Sequence, residues 1–242
     1  MKDDLFGAIS FLTVFGRGDA PRESSVLWFS VAGALIAAVS GLIWRLLDHS
    51  PARLLEGAVV VLVIVVITGA IHFDGLADAA DGLLAHLDGS RRFAVMSGPE
   101  VGAFGIVAVV MALLLMSLSL STITPNVLLL VGVMSLSREL AALVIALFPY
   151  AKPSGIVSGF RAVSATFRTK AIISAELLAS SAVIVAGLGL KGLVLPAVMF
   201  AVQAIIITRA KALIGGYTGD VLGASIVATE TLALVAGALM QR

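Results

Sequence analysis

The chain contains no cysteine, so disulfides, zinc–thiolate sites and thiol catalysis are excluded and the redox compartment stays open. It is also poor in charge. Lys, Arg, Asp and Glu make up 13% of its 242 residues, against about 25% in soluble domains. There is no basic tract, the net charge is +1, and no nucleic-acid partner is expected. A signal-peptide pattern is missing as well. "MKDDLFGAISFLTVFGRGDAPRESS" places acids before one short apolar run, the wrong order for such a leader. Residues 1–25 read instead as an amphipathic or half-inserted helix.

What remains is largely oil. Hydrophobic residues make up 60% of the chain and its mean hydropathy is +1.10. Such a chain has the lipid bilayer as its solvent. Its backbone must satisfy its own hydrogen bonds, as helices or as a closed barrel. The apolar runs are roughly 16 to 22 residues long and rarely alternate, which suits helices crossing a ~30 Å core rather than ~10-residue barrel strands. The expected architecture is all-α: one polytopic membrane domain over residues 1–242 with six to seven transmembrane helices. The spans fall near 26–47, 57–73, 104–122, 127–148, 172–190, 193–214 and 221–240. The count drops to six if "GLKGLVLP" is not a turn.

Loop charge sets the orientation. With the N-terminus in the cytoplasm, eleven of the sixteen Lys and Arg lie on the inner side. Only Arg45, Arg53, Lys191 and Arg242 lie outside, and Arg138 is within a span. The aspartate segment, the "PYAKPSG" loop and the "GGYTGD" loop then share the cytoplasmic face, the layout of a cytoplasm-facing active site.

Within this oil the stretch "HFDGLADAADGLLAHLDG" gathers Asp74, Asp78, Asp81 and Asp88. At about 100° per residue the first three fall near 0°, 40° and −20°. They share a helix face, which Asp88 joins if the helix runs on. Like charges at this spacing destabilise a helix, so a cation is expected to offset them. Magnesium takes carboxylates, waters and substrate phosphates. The small neighbours Gly75, Ala77, Ala79, Ala80 and Gly82 leave room for a bulky head group. The alternative is a solvated acidic face, which the apolar remainder of the helix disfavours.

Two further places carry charge in oil. Arg138 and Glu139 lie near the middle of one span and Glu230 near the middle of another, where a charge costs about 2.5–3.5 kcal/mol or more. An Arg138–Glu230 or Arg138–Glu139 pair reduces that cost. Such a pair is either a clamp between helices or the floor of a cavity where Arg138 meets substrate phosphate. In "LIGGYTGDVLGA", Gly215, Gly216 and Gly219 allow close backbone approach. Thr218 and Asp220 are both suited to cap the last helix, whose N-terminus suits phosphate. Capping alone also accounts for Asp220. His49, His72 and His86 share no spacing and receive no role.

Taken together, "FLTVFGR", "HFDGLADAADGL", "RRFAVMSGPEVGAFG", "FPYAKPSG" and "IGGYTGDVLGA" with Glu230 downstream resemble the cobalamin synthase family. The similarity extends over nearly the whole chain. It implies a magnesium-dependent transferase of the cytoplasmic membrane that joins adenosylcobinamide-GDP to α-ribazole, or to its 5′-phosphate, and releases GMP. It also implies that Asp74, Asp78 and Asp81 hold the metal. Asp81, Asp78 and Arg138 are the candidate catalytic residues, with Asp81 as a base. Arg91, Arg92, Lys152, Gly215, Gly216, Thr218, Asp220 and Glu230 are candidates for substrate contact. One position departs from the family pattern: "MSGP" has Gly98 where the family carries an acid, and Glu100 follows two residues on.

Rival readings fit less well. CDP-alcohol phosphotransferases place Arg where Asp78 stands and carry a second aspartate block, and aromatic prenyltransferases carry two aspartate motifs. A secondary transporter predicts inverted halves and Gly/Pro-broken spans at matching positions; the sequence shows neither, and the aspartates sit at one membrane face rather than the midplane. A homo-oligomer is left open.

Overall fold

The computed structural model describes residues 2–16, 22–48, 51–152, 156–160 and 166–241. Arg17, Arg161 and Arg242 of the loop charges, His49, and positions 153–155 of "FPYAKPSG" lie outside them. The helices are α1 (Lys2–Leu12), α2 (Phe29–Leu47), α3 (Arg53–Thr68), α4 (Ile71–Leu84), α5 (Gly89–Val95), α6 (Ala103–Thr122), α7 (Val127–Leu147), α8 (Phe167–Leu188), α9 (Val194–Ile214) and α10 (Gly219–Leu239). No strand forms among the described residues; one isolated bridge joins Tyr150 to Tyr217.

Five helical stretches are long and apolar enough to cross a membrane, or six if the bent pair α3–α4 counts as one. The chain is therefore an all-α polytopic membrane protein. One of the five, Phe167–Ile214, has 48 residues. At 1.5 Å per residue it would reach about 72 Å, more than twice a bilayer core. Its contacts show that it doubles back. Asn126, which caps α7, donates from Nδ2 to the Gly187 carbonyl at 2.8 Å, and Gly132 lies against Ile184, so α8 runs antiparallel to α7. Beyond Gly189 (φ 68°) and a short 3-10 turn, α9 starts with Leu195 near Gly237. It ends at Gly215, beside the Pro149–Tyr217 contact at the far end of α7. The "GLKGLVLP" turn is thus real, and this stretch makes two passes.

The expected span 57–73 does not form as one helix. α3 stops at Thr68, and Gly69 and Ala70 both take left-handed backbone (φ 61° and 59°). The chain then turns by 91° into α4. A non-glycine left-handed residue costs on the order of 1 kcal/mol, which the packing of both helices must offset. α4 therefore does not continue α3 in a straight line; it packs against the starts of α10 and α6.

α7 and α10 are the most enclosed spans, and they carry Arg138, Glu139 and Glu230. Two apolar clusters fill the bundle. One, around Trp44, Met116, Leu129 and Leu195, reaches α4 at Phe73. The other, around Phe29, Phe160, Ile214 and Tyr217, lies toward the α4 end. α1 buries Ala8 and Leu12 in the second cluster and leaves Phe6 70% exposed.

Candidate active site

The site is built where α4 crosses the start of α10. A Cβ at Gly75 would lie 2.9 Å from the Asp220 carbonyl oxygen, and one at Gly223 would lie 3.2 Å from the His72 Cα. Only helices with bare backbone at both points come this close. The crossing brings the acidic face of α4 to Asp220.

Thr218, not Asp220, caps α10: its Oγ1 accepts from the Val221 N–H at 3.2 Å. Asp220 is thereby free to face the site. Its carboxylate takes the Lys152 ammonium at 3.0 Å and the Thr218 hydroxyl at 3.2 Å. Lys152 is delivered by a short backbone splice. Tyr217 N–H donates to the Pro149 carbonyl at 3.0 Å, and Ala151 N–H donates to the Tyr217 carbonyl at 2.8 Å. The splice explains the two preceding glycines. Gly215 ends α9 at φ 82°, and a Cβ at Gly216 would lie 2.0 Å from the Pro149 oxygen.

Asp78 sits at the centre of the charges. It feels the like charge of Asp220, Asp74 and Asp81 and the opposite charge of Lys152. Asp74 is exposed, Asp78 half-buried and Asp81 buried. The three expected metal ligands therefore do not converge. Asp81 turns to the start of α6, accepting from the Gly102 N–H at 2.7 Å and the Gly105 N–H at 2.9 Å. Among the described residues no three His, Asp or Glu side chains close into a metal cluster. Magnesium does not require one, since it commonly uses one or two carboxylates and draws the rest from water and substrate phosphate. Among the described residues, Asp74, Asp78 and Asp220 against one lysine supply hard oxygen donors and an excess of negative charge, and that chemistry fits a divalent cation.

The sequence profile of the cobalamin-5-phosphate synthase family matches residues 4–238. The chain belongs to this family. Curated relatives named adenosylcobinamide-GDP ribazoletransferase include one from Thermosynechococcus vestitus, 31% identical over 96% of this chain and 95% of its own length. Another, from Pseudomonas paraeruginosa, is 34% identical over 89% and 86%. A third, from Escherichia coli O45:K1, is 30% identical over 98% and 99%. No solved structure matches.

The other motif residues divide by role. Arg91 is exposed. Arg92 is buried and donates to the carbonyls of Gly82 and Ala85 at 2.6 and 3.1 Å, closing the C-terminus of α4. Arg209, which the sequence reading did not single out, joins it from α9 by donating to the Leu83 carbonyl at 3.0 Å. Guanidinium groups suit the negative end of a helix dipole; that preference was the available signal for both. Gly98 lies in the turn after α5, and Glu100 is exposed. α4 ends at Leu84, so Asp88 does not join the acidic face and instead starts α5.

Two of the three mid-bundle charges pair. Arg138 pairs with Glu230, each nearly inaccessible at 1% and 3% side-chain exposure. Ser137 Oγ donates to the same Glu230 oxygen at 2.7 Å and accepts from Arg138 at 2.9 Å. Glu139, next to Arg138 on α7, is buried, and neither of its carboxylate oxygens has a hydrogen-bond partner among the described residues. Of the two pairings open at the outset, the helix-to-helix clamp Arg138–Glu230 forms. It is remote from solvent, although Arg138 lies within electrostatic reach of buried His72 on α4.

Proposed function

We propose that the chain is an adenosylcobinamide-GDP ribazoletransferase working at the cytoplasmic face of the inner membrane. The observation that carries this reading is a family match over nearly the whole chain that coincides with an acidic group gathered at one bundle end. The loop cations favour the orientation. Arg91, Arg92, Lys152, Arg209 and Lys211 belong to elements at the α4 end, whereas Arg45, Arg53 and Lys191 lie at the other.

In the reaction, a ribose hydroxyl of α-ribazole, or of its 5′-phosphate, attacks the phosphorus nearer cobinamide. The bond to GMP breaks, GMP leaves with that electron pair, and the hydroxyl proton is lost. Phosphoryl transfer of this kind needs in-line positioning and neutralised charge rather than covalent help. Magnesium held by Asp74 and Asp78, with Asp220 facing them, would supply that neutralisation on the diphosphate. Asp78, half-buried at the centre of the group, is placed to take the hydroxyl proton. Lys152 leaves Asp220 for a substrate phosphate, and Arg91 is free to contact the GDP moiety. Arg138 and Glu230 support the floor under α4 without touching substrate.

The test uses detergent-solubilised protein with adenosylcobinamide-GDP, α-ribazole and magnesium. GMP release that depends on α-ribazole and stops with EDTA is expected. No GMP in the presence of both substrates would remove the activity, and release indifferent to EDTA would remove the metal.

A further inference from the structure

We propose that Asp81 is a positioning residue: its carboxylate pins the N-terminus of α6 to α4, and it neither ligates the metal nor takes the substrate proton. Both of its oxygens are engaged, at 2.7 Å by Gly102 N–H and at 2.9 Å by Gly105 N–H. These are charge-assisted bonds at the positive end of a helix, where a carboxylate is held most strongly. The side chain is buried at 7% exposure, unlike exposed Asp74 and half-buried Asp78.

Three details show that the contact is built. The N-cap residue of α6 is Gly102, which has no side chain to cap its own helix. A long-range carboxylate therefore does work normally done by a local Ser, Thr, Asp or Asn. The two donors are glycines because nothing larger fits. A Cβ at Gly102 would lie 2.6 Å from Asp81 Oδ1, and one at Gly105 would lie 2.5 Å from Asp81 Oδ2. Finally, α4 needs such a tether. It leaves α3 at 91°, so α3 does not fix its rotation. Asp81 fixes it from α6, the bare backbone at Gly75 and Gly223 from α10, and Arg92 and Arg209 from its C-terminus. With α4 so held, Asp78 faces Asp220.

The decisive experiment moves the cap. Asp81→Ala is expected to lower the melting temperature of metal-free protein in detergent and to reduce turnover. Adding Gly102→Ser supplies a local cap, since Gly102 already has the extended backbone (φ −84°, ψ 178°) of an N-cap residue. The double variant is expected to recover melting, and its turnover and half-saturating magnesium are expected to lie within about threefold of wild type. A ligand or base would behave differently: the new serine would restore melting but not turnover, or the magnesium requirement would stay roughly ten- to hundredfold higher. Either result overturns the proposal, as does unchanged melting in Asp81→Ala. Should that variant fail to fold, Asp81→Asn takes its place. Its amide keeps one acceptor oxygen and turns an NH2 toward the second N–H, so intermediate melting is expected with an unchanged magnesium requirement; a shifted requirement at wild-type melting sinks the idea. The turnover arm rests on the transferase reading. The melting arm, measured without metal or substrate, does not, so wild-type protein that releases no GMP removes only that reading.

Discussion

Two regions of this molecule concentrate charge in an apolar setting, and they treat it in opposite ways. In mid-bundle, Arg138 and Glu230 neutralise one another, Ser137 bridges them, and the pair is shut off from solvent. At the α4 end, Asp74, Asp78 and Asp220 face one lysine among the described residues and remain partly open. A closed, neutral pair can only hold helices together. An open group with surplus charge of one sign must recruit its partner from outside. The comparison separates structure from chemistry more sharply than burial or residue type does.

The largest expected effect breaks the closed pair. Glu230→Ala leaves Arg138 buried and unpaired, a loss of about 3–5 kcal/mol. Little folded protein should survive in a detergent melt, whereas Arg138→Met combined with Glu230→Met should fold. If the single variant melts like wild type, the pair is not a clamp. Next comes Asp78→Asn, which keeps the size and removes one like charge. Turnover should fall by about a hundredfold while melting holds or rises. Wild-type GMP release at limiting magnesium would remove Asp78 from the site. Gly75→Ala tests the junction on which the open group depends. The methyl meets Asp220 backbone at 2.9 and 3.1 Å, which cannot give way cheaply, so a loss of about 1–3 kcal/mol is expected. Unaltered melting would show that α4 and α10 are not pressed together there. Smallest is Lys152→Met. Its bridge to Asp220 is partly exposed, at 22% and 23%, and contributes about 1 kcal/mol or less. Stability should barely move, and the KM for adenosylcobinamide-GDP should rise. An unchanged KM would remove Lys152 from substrate contact.

Much of this was legible beforehand. Long apolar runs announce membrane helices because lipid offers the backbone no alternative, and the "GLKGLVLP" turn was visible from its glycines. The clustering of Asp74, Asp78 and Asp81 on one face also follows from helical period. The destination of each side chain on that face does not. Asp81 is about 60° from Asp78 on an ideal helix, yet Asp81 meets the end of α6 while Asp78 meets α10. The bend at Gly69–Ala70 was hidden because "VVITGAIHF" reads as an unbroken apolar run. Arg209 was hidden because its partner, the Leu83 carbonyl, is 126 residues away.

By itself the sequence determined the class of fold, the family and the segments that carry polar chemistry, because these depend on composition, periodicity and order along the chain. Tertiary structure alone decided which aspartate faces Asp220 and which one caps a helix, and that Arg138 chose Glu230 over its neighbour Glu139. Those choices depend on which helix stands opposite each side chain. Residues one position apart on a helix point about 100° apart, so a partner is selected by the packing of helices distant in sequence.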